Sequence, residues 1–431
     1  MNVSKFIADR ILTGRGKNFS SLIVKIAIGA IALSMMVMII TTNVITGFKN
    51  EISEKVFDFW GHIQITDGNS GDAFEAIPFL RDEALLDSLR NIRSISYARP
   101  ARVSQPDVIN PELKSKGGIE YAAPYIVVNG ILNDNKIFEG VLLRGIEPTY
   151  SDQRMTPFLV EGRALKTDGN GASRDIMISR VTADRMEKKI GDKIIVNFIL
   201  NQDAIKKAFT VVGIYKTGLV EYDQRFAIVD MAILQEVLGW QENQISGIEL
   251  SVEHLEDMDI LSDFIYFELL PGNLYSESIR SKFYQIFEWL ELQDINEYVI
   301  IILMILVALI NMITGLLIFV LERAKMVGVL KALGAQNWTI RKIFLYHAGR
   351  ILILGILIGN ALGLLICGVQ KYTGVMKLSE EYYYLSQVPI QFDLVSMMWI
   401  NIGTLVTVLI CLIIPSNVVA NISPIKTIRF N

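Results

Sequence analysis

Four long apolar runs set the plan of the chain: Ile23–Ile45, Tyr298–Leu321, Leu345–Val369 and Leu394–Val419. Each holds about 20–25 residues, enough to cross a hydrocarbon core of about 30 Å as a helix. Before the first run, Lys5, Arg10, Arg15 and Lys17 are interspersed with Phe6, Ile7, Ile11 and Leu12, a pattern for a short amphipathic helix on a membrane surface. A cleaved signal peptide would also place basic residues before an apolar stretch. The first run is longer than a signal core of about 7–15 residues, and no small-x-small site follows, which favours an uncleaved anchor. The spacing therefore predicts a surface helix over 1–21 and spans over 22–46, 296–321, 345–370 and 394–419. A large domain fills 47–295, a polar connection 322–344, a short loop 371–393 and a tail 420–431.

Between the first two spans the periodicity changes. Phe48, Ile52, Val56 and Phe59 keep helical spacing, so the first span is expected to continue as a helix beyond the membrane. From Gly61 to Leu290, short α and β patterns alternate. Strands are predicted at His62–Thr66, Gly140–Ile146, Lys193–Ile199, Phe209–Tyr215, Arg225–Asp230 and Gly247–Val252. Helices are predicted at Arg81–Ile92, Ser179–Lys189 with Ser179 as a cap, and Met231–Leu238. The fold class read from this is a membrane protein with four transmembrane α-helices and a large α+β domain, of one or two lobes, between the first and second spans.

Composition agrees: 51% of the 431 residues are hydrophobic, too many for an ordinary soluble protein. The net charge of −4 hides an asymmetry. Basic residues gather at the N-terminus, in the connection 322–344 and at Lys426 and Arg429, whereas the loop 371–393 balances Lys371 and Lys377 with Glu380, Glu381 and Asp393. The positive-inside rule then places both termini in the cytoplasm and the large domain outside. Tyr382, Tyr383 and Tyr384 suit an aromatic belt at the interface.

The connection 322–344 reads ERAKMVGVLKALGAQNWTIRKIF and carries five basic residues. Met326, Val327, Leu330 and Leu333 recur at helical spacing between the charges, Gly334 breaks the pattern, and Asn337 is placed to cap the next helix. A basic amphipathic helix of this kind fits a groove on a soluble partner. A basic turn that only sets topology is the competing reading. Within the spans, Gly355, Gly359 and Gly363 fall on one face, as close helix packing requires, and Asn43 and Asn311 are candidates for hydrogen bonds between helices. No Asp or Glu lies in mid-span, which argues against a proton- or ion-coupled carrier.

Candidate chemistry is sparse. His62, His254 and His347 lack metal-ligand spacing, and Cys367 and Cys411 both lie in apolar spans, so neither a disulfide framework nor a metal site is expected. No GxSxG or HExxH occurs, and Gly14-Arg15-Gly16-Lys17 lacks the GxxxxGK[ST] spacing of a phosphate loop. No catalytic residue and no bound cofactor are expected of this chain, and no nucleic acid partner. Energy for any active transport would come from a partner docked on the basic helix.

Three stretches carry a family resemblance. They are the opening KFIADRILTGRGKNFSSLIVKIAIGAIALSMMVMIITTNVITGFKNEISEKV, the phrases GVLLRGIEP and FTVVGIYKTGLVEYDQRFAIVD, and the C-terminal half from ERAKMVGVLKALGA to IIPSNVVANISPIKTIRF. Together they span nearly the whole chain, and YKTGLVEYD is the most specific of them. The chain resembles the permease subunits of lipoprotein-releasing (Lol-type) ABC transporters, within the MacB/FtsX superfamily. The resemblance implies a bacterial inner-membrane subunit that pairs with a second permease, identical or paralogous, and with a cytoplasmic ABC ATPase that binds ATP and Mg²⁺. It implies extraction of lipoproteins from the membrane and delivery to a periplasmic carrier. ATPase coupling would fall on Lys325, Val327, Leu330, Lys331, Leu333 and Gly334. Lipid entry would fall on Ile40, Val44, Phe48, Ile301, Ile305 and Leu309, apolar residues that lipid-facing packing explains equally well. The segment Leu200–Ala208 reads as a short loop where the branch's carrier-binding subunit has an extended hook, which leaves the carrier contact open. A MacB-like permease for efflux and an FtsX-like regulator of cell-wall hydrolases are the alternatives within the superfamily.

Overall fold

The computed structural model describes residues 19–69, 77–99, 112–134, 137–147, 154–166, 172–200 and 203–420. The expected surface helix (up to residue 18) and the basic tail beyond Ala420 lie outside the described residues. Along the chain, α1 (Phe19–Trp60) is followed by β1 (Ile63–Asp67), α2 (Glu83–Arg90), β2 (Ile119–Asp134), β3 (Ile137–Ile146) and β4 (Leu159–Gly162). Next come β5 (Asp175–Ser179), α3 (Arg180–Arg185), β6 (Lys193–Leu200), β7 (Asp203–Tyr215), α4 (Val220–Arg225), β8 (Phe226–Asp230) and α5 (Met231–Leu238). Then follow β9 (Gly247–Val252), α6 (Met258–Phe264), β10 (Leu274–Ser278), α7 (Tyr284–Glu322), α8 (Ala324–Ala332), α9 (Asn337–Thr373) and α10 (Leu394–Ala420). The chain forms two compact units. One holds Met1–Glu51, Trp289–Lys377 and Gln387–Asn431, and the other holds Ile52–Glu288 with Leu378–Ser386.

The first unit is built on α1, α7, α9 and α10, the four described helices long and apolar enough to cross a membrane. At about 1.5 Å per residue, the 42 residues of α1 and the 39 of α7 extend about 63 and 58 Å, roughly twice the hydrocarbon core. Each helix therefore outlasts the membrane and continues into the second unit's sequence, as the spacing of Phe48 to Phe59 leads one to expect. Ile31, Met35, Met38, Leu316, Phe344 and Leu352 share a buried cluster. Gly355, Gly359 and Gly363 all turn toward α1. A Cβ would lie 2.6 Å from Ile31 Cγ2 at the first, 2.5 Å from Met35 Cβ at the second and 3.1 Å from Ile39 Cβ at the third. The side chains of Asn360 on α9 and Asn401 on α10 exchange hydrogen bonds of 2.6 and 3.1 Å.

Two polar expectations need correction. Asn311 does not reach another helix: its amide donates to Val307 O one turn back, at 2.9 Å. The spacing could not distinguish this local bond from a bond across helices. Asn43 does link two segments, since it donates to Ile39 O of its own helix and its Oδ1 accepts from Asp393 N at 3.3 Å. Nor does Asn337 cap α9. Gln336 holds the extended capping conformation without a side-chain bond, and Asn337 is the first helical residue.

The second unit is a lobe around one ten-stranded sheet, in the order β10-β1-β9-β2-β3-β8-β5-β7-β4. The β3–β8 and β5–β7 pairs are parallel and the other described pairs of this sheet antiparallel. β6 pairs with both β7 and β2, so the hydrogen-bonded path from β2 through β3, β8, β5, β7 and β6 closes on itself. Closure removes edges that would otherwise expose unpaired backbone groups. Val196, Phe198, Phe209, Val211, Phe226 and Ile228 are fully buried. Local chemistry sets the helix starts. Ser179 Oγ accepts from Thr182 N at 3.0 Å to open α3, and Asp230 Oδ1 accepts from Ala232 N at 3.0 Å to open α5. The helix expected at Arg81–Ile92 is shorter, because the Asp82 side chain caps it and delays its start to Glu83. Within Leu200–Ala208, expected as a short loop, Leu200 and Asp203–Ala208 are strand residues. Asp203 pairs with Leu200, and the ladder runs from there to Thr210 opposite Lys193. Lys206 and Lys207 lie within β7, opposite Asn197 and Val196.

Candidate functional site

Two regions stand out besides the residues read as a lipid entry, and the sequence pointed to only one of them. The first is the basic connection. Arg323 stands at the N-cap of α8 and Leu333 at its C-cap. Gly334 takes φ +89°, a conformation that favours glycine, while Ala335 N closes the turn onto Leu330 O at 2.9 Å. Val327 is fully buried in the helical cluster with Ile340 and Phe344, so it seats α8 rather than meeting solvent. Leu330 and Lys331 are half-buried, and Lys325 is exposed. Leu333 is 80% exposed, with Val329 and Trp338 also bare. The outward surface of this connection is thus Lys325, Val329, Leu333 and Trp338: apolar side chains beside a positive charge.

The six residues read as a lipid entry are all half-buried. Ile40, Val44 and Phe48 are half-buried along α1, and the Phe48 ring packs edge-on against Trp289 at 5.5 Å. Thr42 donates to Glu297 at 2.6 Å, and Lys49 pairs with Asp294. Ile301, Ile305 and Leu309 pack partly buried against the helical cluster. The bare face of α7 carries Ile302, Leu303, Leu306, Val307 and Ile310 instead. A run that is apolar on every side of the helix gives no means of choosing between its faces.

The second region lies in the lobe, where α1 ends. Gly61, at φ +74°, stops the helix with its N–H on Phe57 O at 2.8 Å, and His62 N then donates to Leu250 O at 2.7 Å, joining the chain to the sheet. Two arginines face the last helical carbonyls. Arg144 of β3 donates to Phe59 O and forms an ion pair with Glu249 of β9, and Arg154 donates to Phe57 O at 3.4 Å. Cations suit this end of a helix, where carbonyls are unpaired and the dipole is negative. The Arg144 and Glu249 side chains are only 3% and 1% exposed. The guanidinium also sits 5.1 Å from the Phe59 and Trp60 ring centres. Burial pushes the Glu249 carboxyl up to about 7 against the opposing pull of Arg144. Burial, with a smaller push from Arg154, holds the His62 imidazole down at about 4, so that it stays neutral and accepts from Val252 N at 2.9 Å. Phe57 stacks on Phe287 at 5.4 Å, and Trp60 lies 5.9 Å from Phe283. The last turn of α1 and the first turn of α7 therefore share one aromatic cluster. Sequence reading had Arg144 and Glu249 only as strand positions. A lone charge inside GVLLRGI and another inside GIELSV was the available signal, because a charge in a buried strand requires a partner.

Among the described residues no group of His, Cys, Asp or Glu could hold a metal ion. The geometry instead offers an exposed apolar and basic surface on α8 and a buried aromatic and ionic junction where α1 ends and α7 begins. Four helices long enough to cross a membrane, together with a mixed α and β lobe, suit a membrane permease. A family model described as MacB-like periplasmic core domain matches residues 26–265, and another described as FtsX-like permease C-terminal matches residues 298–424. The first covers more than half of the chain, which belongs to this MacB-like family and, with the second, to the Lol-type permeases of the MacB/FtsX superfamily. The chain is 22% identical to the lipoprotein-releasing system transmembrane protein LolE of Haemophilus influenzae, over 99% of each chain. It is also 22% identical to the lipoprotein-releasing system transmembrane protein LolC of Neisseria meningitidis serogroup B, over 100% of this chain and 99% of that one. A solved structure, the extracellular domain of the noncanonic ABC-type transporter YknZ from Gram-positive bacteria, matches 50% of this chain and 100% of that one, with a TM-score of 0.32 at 15% identity.

Proposed function

We propose that this chain is the permease subunit of an ATP-driven complex that extracts lipoproteins from the inner membrane and passes them to a periplasmic carrier. The observation that carries the reading is the full-length similarity to LolE and LolC, with both family models falling on the corresponding parts. The chain itself performs no catalysis. A separate cytoplasmic ATPase binds ATP and Mg²⁺ and docks on α8 through Lys325, Leu330, Lys331, Leu333 and Gly334, with Val327 as the buried seat. Both termini lie in the cytoplasm and the lobe in the periplasm. A second permease, identical or paralogous, completes the membrane path. Acyl chains enter beside Ile40, Val44 and Phe48 and along α7 near Ile301, Ile305 and Leu309. Each buried CH₂ of an acyl chain holds a lipoprotein in the bilayer by about 0.8 kcal/mol, so extraction needs an external energy source. The length of α1 and α7 supports a lever from the membrane to the lobe junction at Phe59, Arg144 and Glu249.

Purification of the chain from its native membrane, with identification of the proteins that accompany it, tests this. An ABC ATPase together with acylated lipoproteins is expected. An ATPase with a periplasmic adaptor, or with a cell-wall hydrolase, would move the function to efflux or to hydrolase control. Purification without an ATPase would contradict the role given to α8.

A further inference from the structure

The segment Tyr215–Asp223, YKTGLVEYD, runs from the end of β7 into α4; its Tyr222 ring stacks on Phe59 at the junction described above, and the turn ahead of that ring is densely bonded. The Asp223 carboxylate, 2% exposed as a residue, accepts from Thr217 N at 2.9 Å, Thr217 Oγ1 at 2.8 Å and Gly218 N at 3.1 Å. Leu219 N donates to Thr217 Oγ1 at 3.0 Å, and Tyr215 OH donates to Phe226 O at 2.8 Å. Gly218 takes φ +79°. A loop fixed by this many internal bonds presents a constant outer surface.

The loop between α9 and α10 rests on that surface. Lys216 Nζ pairs with the Glu380 carboxylate at 2.7 Å. Lys55 of α1 donates to Tyr384 O at 3.0 Å. A Cβ on Gly218 would lie 2.6 Å from Lys55 Nζ, the movable end of a side chain, and 3.7 Å from Tyr384 O, so it is the φ of +79° more than the space that favours glycine here. Tyr384 itself is held at φ +59°, which costs a non-glycine residue energy unless its surroundings fix it. Consistent with these contacts, Leu378–Ser386 belongs to the lobe although the residues on both sides belong to the helical unit.

We propose that Tyr215–Asp223 is a bracket that grips the α9–α10 loop, with Lys55, Lys216, Gly218 and Glu380 as positioning residues. Along the chain, α1 and α7 enter the lobe as unbroken helices, whereas α9 and α10 reach it only through this loop. The bracket makes the loop and the lobe move as one body, so that all four long helices bear on the lobe during transport. This rests on the transport reading above.

Charge reversal tests the grip. Glu380→Lys opposes two lysines, Lys216→Glu opposes two carboxylates, and the double variant restores opposite charges. In the complex purified with its ATPase, each single variant is expected to keep normal ATP turnover while lipoprotein released per ATP falls about fivefold, the scale of a part-exposed pair. The double variant is expected to recover most of that loss. Unchanged release per ATP in the single variants, or no recovery in the double, would overturn the bracket. A second arm does not depend on the cargo. With Cys367 and Cys411 replaced by Ala, Lys216→Cys and Glu380→Cys are joined by a short bis-maleimide in native membranes. Equal cross-linking without nucleotide and after vanadate trapping with ATP is expected, and state-dependent cross-linking would overturn the proposal. If the wild-type complex released no lipoprotein, the cargo reading would fall while this arm still decided the bracket.

Discussion

Arg144 and Glu249 show how much one buried pair can organise. The arginine is held by a carboxylate, a helix-terminal carbonyl and two aromatic faces, so removing it leaves Glu249 buried without a countercharge. Arg144→Ala is expected to cost about 3–5 kcal/mol, read as a lowered thermal midpoint of the full-length protein. The titration of the junction has two opposed parts. Between the ordinary carboxyl value of 4.5 and about 7, folded Glu249 holds more proton than the unfolded chain, so its contribution to stability falls as pH rises. Between about 4 and 6.5, folded His62 holds less, so its contribution rises with pH. Glu249→Gln leaves the His62 slope unopposed. The variant is therefore expected to gain more stability than the wild type between pH 4.5 and 6.5, measured as the change in thermal midpoint across that window. Equal slopes in the two proteins would show that Glu249 stays ionised throughout.

At the scale of elements, the glycine face of α9 decides how closely it meets α1. Gly359→Ala places a methyl 2.5 Å from Met35 Cβ and 2.6 Å from Ala32 O, and backbone cannot move aside cheaply. A loss of about 1–3 kcal/mol is expected in detergent-solubilised protein. Gly368→Ala on the same helix meets nothing within 4 Å and is expected to be neutral or slightly stabilising. These elements were legible because their periods are strong. Apolar runs mark the spans, four-residue spacing marks the glycine face, and β8, β9 and α5 stand within a residue of their sequence limits. What escaped was pairing between distant segments. Asn360 and Asn401 lie 41 positions apart, and nothing in either helix announces the other. Strand order escaped for the same reason, as did the start of β7 at Asp203–Ala208, whose register is set by a partner strand and not by its own alternation. Lys216 and Glu380 looked like ordinary loop charges until the fold brought 164 positions of separation to a contact.

At the scale of the whole molecule, the proposed docking surface on α8 belongs to the helical unit, and the lobe holds the end of α1 and the start of α7. Lys325→Glu and Leu333→Asp change the exposed surface of α8 without disturbing its buried seat at Val327. Both are expected to weaken ATPase binding, and the Lys325 effect should shrink at high salt, because exposed charges are screened within about 10 Å at 0.1 M. The lobe's thermal midpoint should stay unchanged in both. The most direct measurement is release of an acylated lipoprotein from proteoliposomes containing the complex, with a soluble acceptor outside and ATP supplied to the ATPase. Lipoprotein is expected to leave the vesicles with ATP, to stay without it, and to stay with ATP in the Leu333→Asp complex. Release that ignored ATP, or that persisted undiminished when α8 could no longer hold the ATPase, would contradict the account.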